Sequence, residues 1–168
     1  MKTDLKDLKW RDLTSPTLSP DKYLEVYSSL KPTYESYNPK IDVLENIKNK
    51  LSNKNRKLRI VALGADWCPD CSYNVPKMIK IVKSMDTSDV EIEILYGVMV
   101  NALHKPGETI WHHKRSPPEA VNPKFDLTKI PTFYFFDENG TYLGIIVERP
   151  KYGSTLEEDT LEIVEKNL

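Results

Sequence analysis

The sequence contains little cysteine, with two residues in a chain of 168, at positions 68 and 71. Secreted domains that are held together by disulfides carry more cysteines at wider spacing, so this class is excluded. A zinc site built from both cysteines and two histidines is an alternative. However, His112 and His113 are adjacent and His104 stands well apart from them, which is not zinc-finger spacing. We therefore expect no metal and no cofactor.

The chain also has no excess of charge, with 24 basic and 25 acidic residues and a formal net charge of −1. Without a basic field, we expect neither nucleic acid nor a membrane as a partner. No apolar run approaches the ~20 residues of a membrane helix, and the first residues lack the apolar segment of a signal peptide. We expect a monomeric cytoplasmic protein of one domain, in which the two cysteines are largely reduced.

A strand that runs into a helix carries both cysteines. Residues 60–63 form a continuous apolar run, which is typical of a strand that is buried on both faces. Pro69 suits the first turn of a helix, and apolar residues then recur at helical spacing at 75, 78, 79, 81, 82 and 85. The unpaired N–H groups of a helix start favour a thiolate. We predict that Cys68 is the more exposed, nucleophilic sulfur and that Cys71 lies one turn further in.

The rest of the pattern predicts an α/β fold in the order helix, strand, helix, strand, insertion, strand, strand, helix. Before these elements, Ser19-Pro20 begins a helix with an apolar stripe at 23, 26, 27 and 30, which ends at Lys31-Pro32 and leaves Tyr34 in a loop. The predicted ranges are a helix from Asn38-Pro39 to 51, strands at 60–63, 89–96, 132–136 and 141–147, and a last helix capped by Ser154 to Glu157.

Four motifs resemble the thioredoxin superfamily when their order and spacing are taken together. They are the W-C-x-x-C at 67–71, Pro76, the Ile-Pro-Thr at 130–132 and the Asn-Gly turn at 139–140. The resemblance covers residues 55–168 and implies a thioredoxin-like fold, a central mixed β-sheet flanked by helices. The region 39–168 would form this domain, with an insertion at about 97–126 before the cis-proline strand. Residues 1–38 would form an N-terminal arm and helical extension packed on it.

The resemblance implies a thiol–disulfide oxidoreductase with a Cys68/Cys71 dithiol–disulfide cycle. Its substrate would be a protein or small-molecule disulfide. An upstream electron donor, such as a reductase or a low-molecular-weight thiol, would restore the dithiol. In the family, Pro131 would be cis and face the cysteines, and Ile130 and Trp67 would contribute to the surface that binds substrate.

The chain departs from the family at the position of a buried aspartate, which is Ala62 here. In the family this acid assists proton removal from the second cysteine. We hypothesise that Glu93, Glu91 or Asp70 takes part of this role. His112 or His113 in the insertion is a further candidate for a group near Cys68.

The substrate surface and the motif itself also depart from the common pattern. Counting from the Asn-Gly turn places Glu148-Arg149-Pro150 where the family often has a glycine, so we expect a more charged and bulkier docking surface. Asp66, Pro69 and Asp70 surround Cys68 in the sequence, and the two carboxylates oppose thiolate formation. We therefore predict a reducing pair, nearer the roughly −270 mV of thioredoxin than the about −120 mV of a strong oxidant.

Two other functions remain open from the sequence. One is a redox-inactive binding module or adaptor that uses the same groove, and the other is an extracytoplasmic oxidant or isomerase. The motif W-C-P-D-C also looks like that of small eukaryotic thioredoxin-related proteins. The residues around it are similar to a group of bacterial and archaeal thioredoxin-family proteins with an added N-terminal helical region.

Overall fold

The structure is a computed structural model that describes residues 5–168. Residues 1–4 of the predicted N-terminal arm lie outside the described residues. The helices are α1 (Pro20–Val26), α2 (Lys31–Ser36), α3 (Ile41–Lys54), α4 (Pro69–Met85), α5 (Pro118–Val121) and α6 (Leu156–Asn167). The strands are β1 (Leu58–Leu63), β2 (Val90–Leu95), β3 (Thr132–Phe136) and β4 (Tyr142–Val147).

The four strands form one mixed sheet in the order β2-β1-β3-β4. The central strand β1 pairs parallel to β2 and antiparallel to β3, and β3 pairs antiparallel to β4. Helices pack around this sheet, with α3 against α6, α2 against α4 and α1 against β2. This arrangement confirms the predicted thioredoxin-like fold. The strand-to-helix turn after β1 therefore lies at an end of the central part of the sheet.

The helix that follows the cysteine motif has the burial that its sequence pattern predicted. All six apolar positions at helical spacing are buried: Val75, Met78, Ile79, Ile81, Val82 and Met85. A helix with such a continuous apolar stripe packs firmly on the sheet. The start of α4, which carries Cys68 and Cys71, is therefore a fixed part of the fold.

The N-terminal helices differ from the prediction. The first helix ends at Val26, which is 51% exposed, rather than at Lys31-Pro32. A second helix, α2, begins there and contains Tyr34, which we had predicted in a loop. The reason is that proline lacks only an N–H that a first helical turn does not use, so Pro32 starts a helix as readily as it ends one.

Two helices, α3 and α6, begin later in the sequence than predicted. Helix α3 begins at Ile41 with Lys40 in the capping position, rather than at Asn38-Pro39, and Ile41 is exposed. At α6 the cap is Thr155, whose hydroxyl accepts a hydrogen bond from the Glu158 N–H at 3.2 Å. The capping pair is therefore one residue later than predicted, because several polar residues at a helix start can satisfy its free N–H groups equally well.

The residues before α1 are fixed against both ends of the sheet. Leu18 exchanges backbone hydrogen bonds with Ile94 at 2.7 and 2.9 Å and thereby covers the exposed edge of β2. Trp10 packs edge-on against Phe136 and carries the Arg59 guanidinium 3.7 Å from its ring centroid. These contacts bring the N-terminal segment onto the body of the fold.

The insertion at 97–126 has little regular structure, in line with its six glycine and proline residues at 97, 106, 107, 117, 118 and 123. Val100 and Trp111 form an antiparallel bridge, and the buried Trp111 ring donates to the Leu127 carbonyl at 2.7 Å. Among residues 5–168, none of the helices has the length and apolar character needed to cross a membrane.

Candidate active site

The two cysteines lie at the start of α4, immediately after β1. Cys68 occupies the capping position of this 17-residue helix, and Pro69 follows as its first residue. The predicted difference in exposure is confirmed: Cys68 is 6% exposed, whereas Cys71 is fully buried one turn further in. An external disulfide can therefore reach Cys68 before it can reach Cys71.

The segment before β3 contacts the Cys68 sulfur. The Cys68 thiol donates a hydrogen bond to the Ile130 carbonyl at 3.6 Å, although the two residues are 62 positions apart in the sequence. The Ile130–Pro131 peptide bond is cis, and both residues are buried. The structure thus brings together Cys68, Cys71, Ile130 and Pro131, which the sequence had predicted as one site.

Cys71 is held in its protonated form by its surroundings. Burial is the largest effect that raises the pKa of its thiol, and the hydrogen bond with Cys68 and the negative charges of Cys68 and Asp70 raise it further. A hydrogen bond from the backbone N–H of Ala65 acts in the opposite direction. Because the thiolate is the reactive form, Cys71 remains inert until its environment changes.

Gly64 allows Cys71 and Tyr96 to approach β1 closely. A methyl group at this position would lie 2.8 Å from the Cys71 sulfur and 3.0 Å from a carbon of the Tyr96 ring. Both distances are shorter than normal contacts, so a hydrogen atom is what fits here. The sequence analysis did not single out Gly64, since a lone glycine after a strand does not reveal what packs against it.

A pair of tyrosines lies on the same side of the sheet as Cys71. The hydroxyls of Tyr23 and Tyr96 are hydrogen-bonded at 2.7 Å, and their rings meet edge-on at 5.2 Å. Burial raises the pKa of both hydroxyls well above the ordinary range, and the charge of Cys71 contributes to both shifts. These are the polar side chains behind the buried sulfur, and sequence reasoning had treated Tyr23 simply as part of the core.

The hypothesis that Glu93 or Glu91 stands in for the family's buried acid is wrong. Paired residues of neighbouring strands point to the same face of a sheet, and Glu91 and Glu93 pair with Arg59 and Val61. Gly64, which contacts Cys71, is on the other face. Glu91 instead binds Arg59 at 2.9 Å, and Glu93 accepts the Thr17 hydroxyl at 3.0 Å.

The remaining predicted side chains surround the entrance to Cys68. Trp67 is 46% exposed, and its ring N–H donates to the Val98 carbonyl at 2.9 Å, which fixes the ring against the start of the insertion. Asp66 and Pro69 are exposed and Asp70 is half-buried. Trp67 therefore presents an apolar surface beside the more accessible sulfur.

Two histidines of the insertion make contacts within the insertion. His112 accepts from the backbone N–H groups of Lys114 and Arg115 at 3.2 and 3.1 Å, and His104 bonds to the Asn101 carbonyl at 2.9 Å. Among residues 5–168, no three side chains of the types that bind metals come together.

Glu148 occupies the position where a charged surface was predicted. It has a φ of 69°, which is the left-handed region that favours glycine. Its N–H donates to the Pro131 carbonyl at 2.6 Å, and its carbonyl accepts from the Asn74 side chain at 3.2 Å. The Glu148 carboxylate lies between Lys129 and Arg149 at 3.4 and 3.2 Å. The surface next to Pro131 is thus charged.

These features define a thioredoxin-like protein with a buried dithiol at the start of a helix, facing a cis-proline. Comparisons with known proteins agree with this class. The family model described as thioredoxin matches residues 17–96, just under half of the chain, and the match includes α1 and α2 as well as the cysteine motif. The match to thioredoxin thus covers residues 17–96, and the sheet and helices of the described residues form a thioredoxin-like fold.

Solved structures with a similar fold include two that align over nearly the whole chain. An HIV epitope scaffold is 16% identical, with a TM-score of 0.62, and covers 95% of this chain and 99% of its own. A protein of unknown function from Pseudomonas aeruginosa is 18% identical, with a TM-score of 0.57 and complete coverage of both chains. Thioredoxin from Fasciola hepatica is 20% identical, with a TM-score of 0.42 over 72% of this chain and 91% of its own. A search of curated proteins found no match.

Proposed function

We propose that this protein is a thiol–disulfide oxidoreductase that reduces disulfides through a Cys68/Cys71 cycle. The observation that carries the proposal is the unequal pair of sulfurs, with Cys68 6% exposed at the helix start and Cys71 fully buried one turn further in. Such an arrangement suits an ordered reaction in which one sulfur attacks substrate and the other completes the transfer.

In the first step, the Cys68 thiolate attacks one sulfur of the substrate disulfide. The substrate S–S bond breaks, a Cys68–substrate disulfide forms, and the second substrate sulfur leaves as a thiolate that takes up a proton. The mixed disulfide removes the negative charge from Cys68, and this charge is one of the effects that raise the pKa of Cys71. The formation of the intermediate therefore makes Cys71 easier to deprotonate.

In the second step, Cys71 loses its proton and attacks the Cys68 sulfur. A Cys68–Cys71 disulfide forms, and the remaining substrate sulfur leaves and is protonated. Two electrons and two protons have then moved from the dithiol to the substrate. An electron donor, either a reductase or a low-molecular-weight thiol, must return two electrons before the next cycle. The predicted reducing potential and the cysteine content favour this direction in a reducing compartment such as the cytoplasm.

The test is an equilibrium redox titration of the purified protein together with a trapping experiment. We expect one two-electron transition between dithiol and disulfide, at a potential near that of thioredoxin, roughly −270 mV. A Cys71→Ser variant should accumulate mixed disulfides with a model disulfide, whereas Cys68→Ser should form none. If no bridge forms at any potential, the protein is instead a binding module, and a potential near about −120 mV would indicate an oxidant.

A further inference from the structure

A groove lies along the exposed side of α4 and begins at Asp70, two residues after Cys68. It has a volume of ≈ 400 Å³ and is bounded by α4, the chain after β4 and the start of α6. Asp70 and Asn74 form the end near the cysteines, and Lys77 lies further along the same helix. Residues 70, 73, 74 and 77 share one face of a helix, so the groove leads directly away from the reactive sulfur.

The Lys77 ammonium packs against aromatic rings and has no carboxylate partner among the described residues. Its ammonium group lies 3.3 Å from the Tyr73 ring centroid and 5.1 Å from that of Tyr37. The Tyr37 hydroxyl donates to Glu157 at 2.5 Å, which fixes this ring. Within residues 5–168, Lys77 makes no ion pair with a carboxylate. A cation held in this way remains available to a carboxylate that enters the groove.

Arg149 and Lys151 also line the groove. Each pairs with a carboxylate that also pairs with a second lysine. Arg149 has a side chain that is 68% exposed, and it shares Glu148 with Lys129. Lys151 shares Glu162 with Lys166 in the same way. Each carboxylate therefore faces two cations, and one positive charge of each set is not neutralised within the set.

Among the described residues, the other acidic groups near the groove form no ion pair with its cations. Among the described residues that line it, the acidic side chain is Asp70, at the end near Cys68. Glu157 and Asp159 lie behind the wall and are buried. Each is already bound by neutral donors, namely the Tyr37 hydroxyl and Lys40 N–H for Glu157, and the Ser154 hydroxyl and Lys151 N–H for Asp159.

We propose that this groove binds an acidic polypeptide segment next to the disulfide of the substrate. The cations would pair with its carboxylates, and the exposed rings of Tyr73 and Tyr152 would pack on its side chains. The segment would bind while its disulfide meets Cys68. This inference rests on the proposed function and adds the class of substrate that the site prefers.

The test compares two synthetic peptides that carry the same disulfide, one with Glu and the other with Gln on both sides of it. The readout is the rate constant of mixed-disulfide formation with the Cys71→Ser protein, expressed as the Glu-to-Gln ratio. A partly exposed ion pair changes such a rate modestly, so we expect a ratio of about three to five at low salt. The ratio should approach about one at 1 M salt, where the Debye length is about 3 Å.

Charge reversal identifies the groove as the cause. In Lys77→Glu, the ratio should fall to about one or below, and Arg149→Glu should lower it independently. The matched control is Lys80→Glu, because Lys80 lies on the same helix and also faces a tyrosine ring, Tyr34 at 5.1 Å, but does not line the groove. This control should keep most of the wild-type ratio.

The outcomes separate the two proposals. If neither peptide reacts faster than it does with a Cys68→Ser protein, the proposed function fails and the substrate preference fails with it. If both peptides react but the ratio is one in the wild type, or is unchanged in Lys77→Glu, the oxidoreductase function stands and the acidic-segment site is overturned. An equal loss in Lys80→Glu would assign the preference to the general charge of the surface, which also overturns the site.

Discussion

The substitution Gly64→Ala tests whether the close contact at Gly64 holds Cys71 in place. The added methyl group would lie 2.8 Å from the Cys71 sulfur and 3.0 Å from the Tyr96 ring. Neither neighbour moves easily, because Cys71 is fully buried in α4 and Tyr96 is bound to Tyr23 at 2.7 Å. Overpacking of this kind costs about 1–3 kcal/mol.

The magnitude follows from two opposing effects. Replacement of glycine by alanine restricts the unfolded chain, which stabilises the protein by about 0.4–1 kcal/mol. The net loss in the free energy of unfolding should then be about 1–2 kcal/mol, and a chain of this size loses about 2–4 °C in melting temperature for each kcal/mol. We therefore expect the melting temperature of the reduced protein to fall by about 3–7 °C.

Denaturant unfolding in the reduced and oxidised states is the assay, with Gly144→Ala as the control. A methyl group at Gly144 would meet both γ carbons of Ile163 at 2.9 Å, which is a comparable clash away from the cysteines. The control should therefore also lose stability, but by the same amount in the reduced and oxidised states. A different loss in the two redox states would also report a change in the potential of the cysteine pair, about 30 mV for each 1.4 kcal/mol. The reasoning is refuted if Gly64→Ala is as stable as the wild type in both states.

Three further predictions concern buried polar groups. Tyr23→Phe leaves the half-buried Tyr96 hydroxyl without its partner, so the free energy of unfolding should fall by about 0.5–1.5 kcal/mol in denaturant titrations. Glu119→Gln should reduce acid sensitivity: burial alone would raise the pKa of Glu119, but hydrogen bonds from the N-terminal segment outweigh it and lower the pKa below the ordinary 4.5. The Glu119 carboxylate thus stabilises the protein above pH 4.5, and this contribution is lost as the pH falls through the folded pKa. The Glu119→Gln variant should therefore be less stable at pH 7, and its stability should change less on acidification to about pH 3. In Cys68→Ser, Cys71 should react with iodoacetamide at about pH 8 at least about tenfold more slowly than after unfolding, because burial raises the pKa of its thiol.

Control variants and a direct labelling measurement test whether the predicted changes in stability and reactivity come from the named contacts. Tyr27→Phe removes a hydroxyl that makes no hydrogen bond among the described residues, and a loss equal to that of Tyr23→Phe would contradict the hydroxyl pair. Glu165→Gln alters an exposed carboxylate, and it should leave the slope of stability against pH nearly unchanged. Rapid modification of Cys71 in the folded Cys68→Ser protein, followed by mass spectrometry, would contradict the buried, protonated thiol.

The parts of the fold that repeat regularly in the sequence were predictable. The apolar spacing of α4, the strand at 132–136 and the turn at Gly140, with its φ of 80°, follow from local periodicity and turn chemistry. Helix boundaries at proline were less predictable, since Pro32 is compatible with either end of a helix. Local sequence therefore specified the elements better than their limits.

The contacts within the site join residues that are distant in the sequence, which local patterns do not encode. Cys68 and Ile130 are 62 positions apart, and Tyr23 and Tyr96 are 73 positions apart. The first pair was expected because of the family resemblance. The second pair was missed, because no family motif covers it and an amphipathic helix predicts burial of Tyr23 without naming its partner.

The segment before α3 covers an edge of the sheet and also contributes two tyrosines, Tyr23 and Tyr37, to the site. Tyr23 supplies a hydroxyl on the side of Cys71 where Ala62 leaves the family's acid missing. Tyr37 supplies one of the two rings that hold Lys77 in the groove beside Cys68. Because burial raises the pKa of both hydroxyls, the pair stays protonated and, in contrast to a carboxylate, does not take the proton from Cys71. Burial is the largest effect that holds this proton, and the mixed disulfide removes a further one, the charge of Cys68. The second step of the proposed reaction is therefore favoured by the completion of the first.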